Sequence, residues 1–208
     1  MKRVIFNADD FGASEGVNRG ILECHVRGPV TSASLMVSAS GTRDAVDRAR
    51  DHPGLALGLH FDEDVGELER QLDEFQRLVG RPPTHLDSHH HVHREPERMP
   101  LFAEAAARLG VPLRGDGRIA YVGGFYAQWE PQVTNLEYVS VEFLEQLLAE
   151  EVAEGWTELG CHPGYVTSEL EPGYTTEREA EVRTLTDPRV MDAIERLGIE
   201  LASFADYR

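Results

Sequence analysis

Four short polar clusters in the sequence carry residue types that bind metals and move protons. The first is the pair of neighbouring carboxylates Asp9 and Asp10, and the others hold His60, five histidines with one aspartate over 85–93, and His162. Each cluster comes directly after a short apolar run. Imidazole is the commonest metal ligand in proteins, and carboxylates serve both as ligands and as general bases. The combination predicts metal-assisted hydrolysis.

An aspartate and two histidines from separate strands would form a three-ligand site for a divalent cation, with positions open to water and substrate. Neighbouring side chains on an extended strand point to opposite sides, so one of Asp9 and Asp10 can bind the cation while the other faces the substrate. Such a cation lowers the pKa of a bound water from 15.7 to about 7. The second carboxylate then acts as base and another histidine protonates the leaving group, each step contributing about 10²–10⁴ in rate.

Each cluster also has a structural interpretation that the residues alone leave open. Asp9 or Asp10 could cap the helix that follows. His60 and His162 could be core histidines, and a histidine tract can be solvated. The tract over 85–93 is the strongest metal candidate, because a Pro-Pro turn and a short strand precede it.

The tract leaves open which of its histidines is the ligand. His89, His91 and His93 share one side of the chain if the segment is extended. Asp87 is suited to orient a ligating histidine through the second ring nitrogen.

The elements that must position these clusters alternate along the whole sequence, a short apolar run followed by a longer amphipathic stretch. This order predicts parallel strands with crossover helices, either closed into a barrel or open and doubly wound. We expect one domain over residues 1–208, in which the segment 115–136 is a long aromatic loop. Seven strands are predicted, at 3–6, 33–37, 55–59, 84–86, 111–114, 157–161 and 199–203. Helices are predicted at 14–27, 42–50, 67–79, 97–109, 141–154 and 188–197.

The composition excludes several classes of partner. The net charge of −17 repels phosphate backbones and anionic lipid, so we expect neither nucleic-acid binding nor docking on a membrane surface. No apolar run reaches the roughly 18–20 residues of a membrane span, and the first residues do not resemble a signal peptide. We therefore expect a cytoplasmic protein without membrane insertion. Cys24 and Cys161 are too far apart in sequence to suggest a disulfide framework.

The motifs NADDFG (7–12), GLH (58–60), THLDSHHHVH (84–93) and CHPG (161–164) together resemble the YdjC-like carbohydrate deacetylase family. The resemblance extends along almost the whole chain. It implies a deformed (β/α) barrel of about seven parallel strands, similar to polysaccharide deacetylases. It further implies hydrolytic removal of acetyl from a small N-acetylated amino sugar, such as a chitooligosaccharide or a related N-acetylglucosamine conjugate. One divalent cation would be needed, with Mg²⁺ favoured and Zn²⁺ compatible.

The resemblance also assigns roles to particular residues. Asp10, His60 and His89 match the metal ligands, Asp9 matches the general base, and His162 matches the late histidine that acts as general acid. A further group is expected to bind the substrate, its aromatic members either stacking on the sugar or covering the barrel mouth: Arg114, Tyr121, Phe125, Tyr126 and Trp129.

Two rival functions use the same residues. A metal-dependent phosphoesterase would need positive charge for the phosphate, and the motif-bearing loops offer only Arg94 and Arg114. A non-catalytic metal-binding protein built on the histidine tract would bind several ions and give Asp9 no role.

One departure from the family bears on the substrate. The region 61–82 is shorter here than in chitooligosaccharide deacetylases, and it begins with the acidic stretch 62–64. A shorter loop should open the cleft and favour a larger or conjugated N-acetylamino sugar. Alternatively, the loop 115–136 or a second subunit of a homodimer supplies the missing wall.

Overall fold

The architecture is an α/β sheet whose strands all run parallel. The computed structural model describes residues 1–64, 66–130, 132–167 and 173–207. The strands are β1 (Lys2–Phe11), β2 (Val30–Leu35), β3 (Ala56–Phe61), β4 (Leu86–Ser88), β5 (Ala120–Val122), β6 (Gly155–Cys161) and β7 (Ile199–Leu201). The α-helices are α1 (Glu15–Arg27), α2 (Thr42–Ala49), α3 (Leu68–Val79), α4 (Met99–Leu109), α5 (Val141–Glu150), α6 (Thr176–Leu185) and α7 (Pro188–Arg196). Single 3₁₀ turns span His89–Arg94, Leu136–Val139 and Phe204–Asp206.

The sheet has the strand order β4-β3-β2-β1-β6-β5, and β7 pairs with the first residues of β1. Parallel strands place their carboxyl ends at one edge of the sheet, so the polar clusters that follow β1, β3, β4 and β6 meet there. Helices cover the outside and bury an apolar core that includes Phe11, Phe75 and Phe102. Within the described ranges, no helix is long and apolar enough to cross a membrane.

The sheet curls strongly, as one buried side chain shows. The Arg114 guanidinium contacts Asp87 on β4, Asp9 on β1 and Glu158 on β6, each within 2.9 Å. In a flat sheet β4 and β1 would be three strand spacings apart, roughly 14 Å. The inner side chains can converge only because the sheet is bent into a partial barrel, which confirms the predicted deformed barrel of parallel strands.

Two local predictions were wrong. The segment 111–114 is not a strand, and it forms only one bridge, from Leu113 to Leu86. Gly110 and Gly115 have φ values of 69° and 77° and turn the chain on either side, which leaves no room for a longer pairing. The fifth strand, β5, lies instead within the segment predicted as a loop.

The helix α6 was not predicted at all. Its buried side chains include charged and polar residues, among them Arg178, Glu181 and Thr184, so the sequence lacks the apolar stripe by which a helix is identified. This helix packs against α1 and lies close to the polar clusters.

Candidate active site

Three side chains that can ligate a metal meet at the carboxyl ends of the strands. Asp10 lies near the end of β1, His60 near the end of β3, and His89 directly after β4. Asp10 Oδ1 is 3.2 Å from His60 Nε2 and 3.2 Å from His89 Nδ1. The structure therefore brings together the three residues that the sequence singled out as ligands.

The surroundings of Asp10 Oδ1 fit a bound cation. This atom is buried, and among the described residues no donor lies in hydrogen-bonding geometry to it. Atoms that share one ion at about 2.0–2.2 Å lie roughly 3.0–3.5 Å apart, as these three do. The His89 side chain is 36% exposed, whereas Asp10 and His60 are buried, so the site is accessible from the His89 side.

His60 is held in one orientation by Asp87 on the adjacent strand. His60 Nδ1–H donates to Asp87 Oδ1 at 2.7 Å, which leaves Nε2 directed at Asp10. Burial by itself would lower the pKa of His60, but Asp87 and Asp10 raise it to about 10. The neighbouring carboxylates therefore create a negative potential around Nε2, which favours a bound cation there. The predicted role of Asp87 as the partner of a ligating histidine agrees with this geometry.

Asp9 and Asp10 do not point to opposite sides, as an extended strand would require. Asp10 has φ 64°, and the pairing of β1 with β2 shifts register between Ala8 and Phe11. Such a bulge re-aims side chains, and aspartate tolerates this left-handed conformation better than most residues. Both carboxylates consequently lie close to His60. The helix-cap alternative is also excluded, because the cap of α1 is Ser14.

Asp9 is fixed as a charged carboxylate. Arg114 donates from Nη1 to Asp9 Oδ2 and from Nη2 to Asp9 Oδ1, both at 2.7 Å, and Asn7 Nδ2 adds a bond of 2.8 Å. Burial is the largest influence on the pKa of Asp9 and would raise it, but the Arg114 charge, the Arg114 hydrogen bonds and the His60 charge together lower it. Asp9 is therefore ionised at neutral pH and can accept a proton.

Arg114 lies buried inside the barrel, between three acidic side chains. Its side chain is fully buried, and it also donates to Glu158 at 2.7 Å and pairs with Asp87 at 2.9 Å. Burial raises the pKa of Glu158 to about 7 despite the guanidinium beside it. Because Arg114 engages both Asp9 and Asp87, the second close group of acidic residues and His60 is not a free ligand set.

His162 follows β6 directly and lies beside Asp9. Its Nε2 is 3.8 Å from Asp9 Oδ2, and its ring is flanked by Tyr126 at 5.4 Å and Tyr174 at 5.7 Å between ring centroids. Burial lowers the pKa of His162 to about 4, so its ring is neutral at pH 7. The predicted base and acid are thus adjacent.

The loop that carries His162 packs closely on α1. Tyr165 N–H donates to the Gly16 carbonyl at 3.0 Å, and a Cβ added at Gly16 would lie 2.2 Å from the Tyr165 carbonyl oxygen. A Cβ at Gly20, one turn later, would lie 2.5 Å from Gly164 Cα. The two glycines of the 16–22 segment therefore let the His162 loop approach the helix.

The aromatic residues predicted to bind a sugar separate into different environments. Phe125 is completely buried in the core and has no surface to offer a ligand, so that interpretation fails for it. Tyr121 packs between two guanidinium groups, with Arg94 at 4.7 Å and Arg114 at 5.1 Å from its ring centroid. Tyr126 lies beside His162, and the 61% exposed Trp129 lies beside Tyr126, with their ring centroids 5.9 Å apart.

Among the described residues, the other histidines of the tract lie outside the group of Asp10, His60 and His89. The segment is a 3₁₀ turn with φ of 52° at His90 and 56° at His91, so His89, His91 and His93 do not share one side. His93 shares hydrogen bonds with Ser88 Oγ at 2.6 Å and the Arg114 carbonyl at 3.0 Å. His85 stacks on Phe204 with centroids 3.8 Å apart.

Arg178 and Glu181 are site residues that the sequence reasoning missed. Arg178 Nη2 donates to Asp10 Oδ2 at 2.5 Å, and Glu181 accepts the backbone N–H of His162 at 2.5 Å. In sequence they belong to a charged run, which is typical of a solvated helix face. Their spacing relative to Leu185 could have indicated a buried helix face, because positions 178, 181 and 185 lie on one side of a helix.

Two proteins similar to this chain along nearly its whole length are named as deacetylases. A chitooligosaccharide deacetylase from Serratia marcescens is 33% identical over 258 aligned positions, covering 99% of each chain. A carbohydrate deacetylase from Geobacillus stearothermophilus is 33% identical, covering 98% of this chain and 97% of its own.

Solved structures show the same fold. A cellobiose-phosphate cleavage protein from Enterococcus faecalis V583 has a TM-score of 0.80 at 27% identity, over 98% of this chain and 97% of that one. A polysaccharide deacetylase from Bacillus cereus has a TM-score of 0.62 at 11% identity, over 98% and 92%, and supports the fold alone. The model of the YdjC-like protein family matches residues 3–64 and 62–196. With relatives of this identity along its whole length, the chain belongs to the YdjC-like family.

Proposed function

We propose that this protein is a metal-dependent deacetylase that hydrolyses the acetamide of an N-acetylated amino sugar. The observation that carries the proposal is the buried, unbonded Asp10 Oδ1 facing one nitrogen each of His60 and His89, with the ionised Asp9 next to it. The names of the two curated relatives support the sugar substrate and the acetyl group.

A divalent cation held by Asp10, His60 and His89 would supply Lewis acidity for the acetamide carbonyl and lower the pKa of the attacking water. Asp9 accepts the proton of that water. The bidentate bond from Arg114 fixes both Asp9 oxygens and keeps the carboxylate ionised. Placing a base in this way contributes about 10²–10⁴ in rate.

His162 completes the proton transfer to the leaving amine. Since its pKa is about 4, the ring is neutral before the reaction and must first receive a proton. Asp9 Oδ2 lies 3.8 Å from His162 Nε2, so a proton taken by Asp9 needs only a small movement to reach the imidazole. The C–N bond can then break with the amine leaving in its neutral form.

Tyr126 and Trp129 supply the surface on which we place the sugar ring. Tyr126 stacks on Tyr174 with centroids 4.7 Å apart and planes within 5°, which holds it rigidly beside His162. Trp129 stands at 84° to Tyr126 and is exposed. Together they form an apolar corner of the kind that suits the face of a pyranose.

The substrate we propose is larger than a free disaccharide. The alignment with the Serratia relative runs over 258 positions although this chain has 208 residues. The family model matches in two pieces that meet at 62–64, in the loop after His60. A shortened loop here would leave the cleft open beside β3 and admit bulk beyond the acetylated sugar.

The rival functions find less support in the structure. Arg114 is saturated by three buried carboxylates, and Arg94 packs on Tyr121, so the two arginines first considered for a phosphate are engaged. The storage hypothesis needs a cluster of tract histidines. Among the described residues, His89 is the tract histidine that belongs to a metal-binding group.

The test is acetate release from N-acetylated mono-, di- and trisaccharides by metal-stripped protein before and after addition of Mg²⁺, Zn²⁺ or Mn²⁺. Two imidazole donors suit Zn²⁺, whereas the family resemblance favours Mg²⁺, and the restoration series decides between them. An Asp9→Asn variant should retain the cation and the KM but lose kcat by at least about 10². Wild-type turnover in Asp9→Asn, or no acetate release with any of the three metals, would refute the proposal.

A further inference from the structure

The helix α6 holds His162 at both of its backbone polar groups. The Glu181 carboxylate accepts the His162 N–H at 2.5 Å, and Arg178 Nη1 donates to the His162 carbonyl at 3.2 Å. These two α6 residues are three positions apart and therefore lie on one face of the helix. Glu181 is fully buried and Arg178 nearly so.

Arg178 extends the same contact to the metal ligands. Its Nη2 donates to Asp10 Oδ2 at 2.5 Å, and its Nε donates to the Tyr174 carbonyl at 3.0 Å. A planar guanidinium holds its donors in a fixed fork. One side chain thus sets the position of a proposed ligand, Asp10, relative to the proposed acid, His162.

Glu181 connects His162 to the aromatic surface. Its second oxygen accepts the Tyr174 hydroxyl at 2.5 Å, and that hydroxyl accepts the Ala127 N–H at 3.1 Å. Tyr174 stacks on Tyr126, one of the two rings on which we place the sugar. Burying polar side chains is costly unless they are hydrogen-bonded, and here both side chains bond to elements of the site.

We propose that Arg178 and Glu181, the α6 clamp, are positioning residues that fix His162 relative to Asp10 and to the sugar surface. The inference rests on the proposed function, since it assigns roles within the same site. A displacement of about 1 Å at a catalytic group can cost on the order of 10² in rate. The α6 clamp should therefore affect kcat much more than KM.

The experiment compares Glu181→Ala, Glu181→Gln and Arg178→Met with two control variants on the same helix, Glu179→Ala and Arg183→Met. Kinetics of acetate release are measured at saturating metal, and hydrogen exchange of the His162 amide is followed by NMR in the absence of substrate. Circular dichroism confirms that each variant is folded.

We expect Glu181→Ala and Arg178→Met to lose kcat by about 10², with KM changed by less than about threefold. The His162 amide should exchange on the order of tenfold faster in Glu181→Ala, because it has lost its acceptor. Glu181→Gln keeps one acceptor oxygen for the His162 N–H but loses the acceptor of the Tyr174 hydroxyl. Its amide exchange should stay close to wild type, and its loss of kcat should be smaller than that of Glu181→Ala. The double variant should lose little more kcat than the worse single variant, since both changes displace the same His162.

The proposed function and the α6 clamp can be refuted separately. If wild type releases acetate but Glu181→Ala and Arg178→Met match the control variants in kcat, the α6 clamp is refuted while the proposed function stands. If wild type releases no acetate, the proposed function is refuted. The exchange rate of the His162 amide then tests the α6 clamp by itself. An unchanged rate in Glu181→Ala then refutes the α6 clamp, and an accelerated rate supports it.

Discussion

Replacing Arg114 with methionine distinguishes two roles for this arginine. As a substrate-binding residue, Arg114 would contribute to KM and little else. As the buried partner of Asp9, Asp87 and Glu158, it should control both the stability of the fold and the protonation of the base. Methionine has a similar length and no charge, so Arg114→Met leaves three buried carboxylates without their common cation.

The expected magnitudes follow from these contacts. Removing one partner of a buried ion pair costs about 3–5 kcal/mol, and Arg114 serves three partners, so the free energy of unfolding should fall by at least that amount. An arginine next to an aspartate lowers the carboxyl pKa by about 1–3 units. Without Arg114 the pKa of Asp9 should rise by a similar amount. Because Asp9 acts in its ionised form, the acid limb of kcat/KM should move to higher pH by about 1–3 units.

The assay is the pH profile of kcat/KM together with urea unfolding at neutral pH. Arg118→Met is the matched control, because Arg118 is 49% exposed and pairs with Asp116 at the surface. If Arg114→Met does not fold, Arg114→Lys keeps the charge without the bidentate fork and should show a smaller shift in the same direction. A raised KM with an unchanged acid limb and unchanged unfolding free energy would refute the reasoning and restore Arg114 as a substrate contact.

Three further predictions concern single features. The pKa of Glu158 is raised from 4.5 to about 7, so protonated Glu158 stabilises the folded state. This contribution to the free energy of unfolding, about 3 kcal/mol in total, is complete below about pH 4.5 and is lost as pH rises through 7. Glu158→Gln has no such proton to lose, and its urea-unfolding free energy should fall less than that of wild type between about pH 5 and pH 8. His89→Ala should reduce metal stoichiometry measured after dialysis, while His93→Ala should retain the metal, and the reverse result would reassign the ligand. If the shortened loop at 62–64 opens the cleft, kcat/KM should be higher for longer or conjugated N-acetylamino sugars than for diacetylchitobiose, and a monomer that prefers the free disaccharide would contradict this.

The short-range features of the chain could be predicted from the sequence. Helix α1 begins within one residue of its predicted start at 14, and Ser14 caps it, because helix starts depend on neighbouring residues alone. The four polar clusters after apolar runs placed Asp10, His60 and His89 at one edge of the sheet, since parallel strands end together. Strand and helix alternation predicted parallel strands with crossover helices but left a closed barrel and an open sheet both possible, and the family resemblance implied the deformed barrel.

Only the tertiary structure determined the contacts between residues far apart in sequence. The side of the chain on which Asp10 lies depends on a backbone with φ 64°, which no spacing rule predicts. Arg114 is an internal partner of Asp9, 105 residues away, because only the curled sheet brings the two together. Arg178 is 168 residues from Asp10, on a helix whose buried face is charged. Hydrophobic periodicity identifies buried apolar residues, whereas a buried charge is recognised only once its partner is in place.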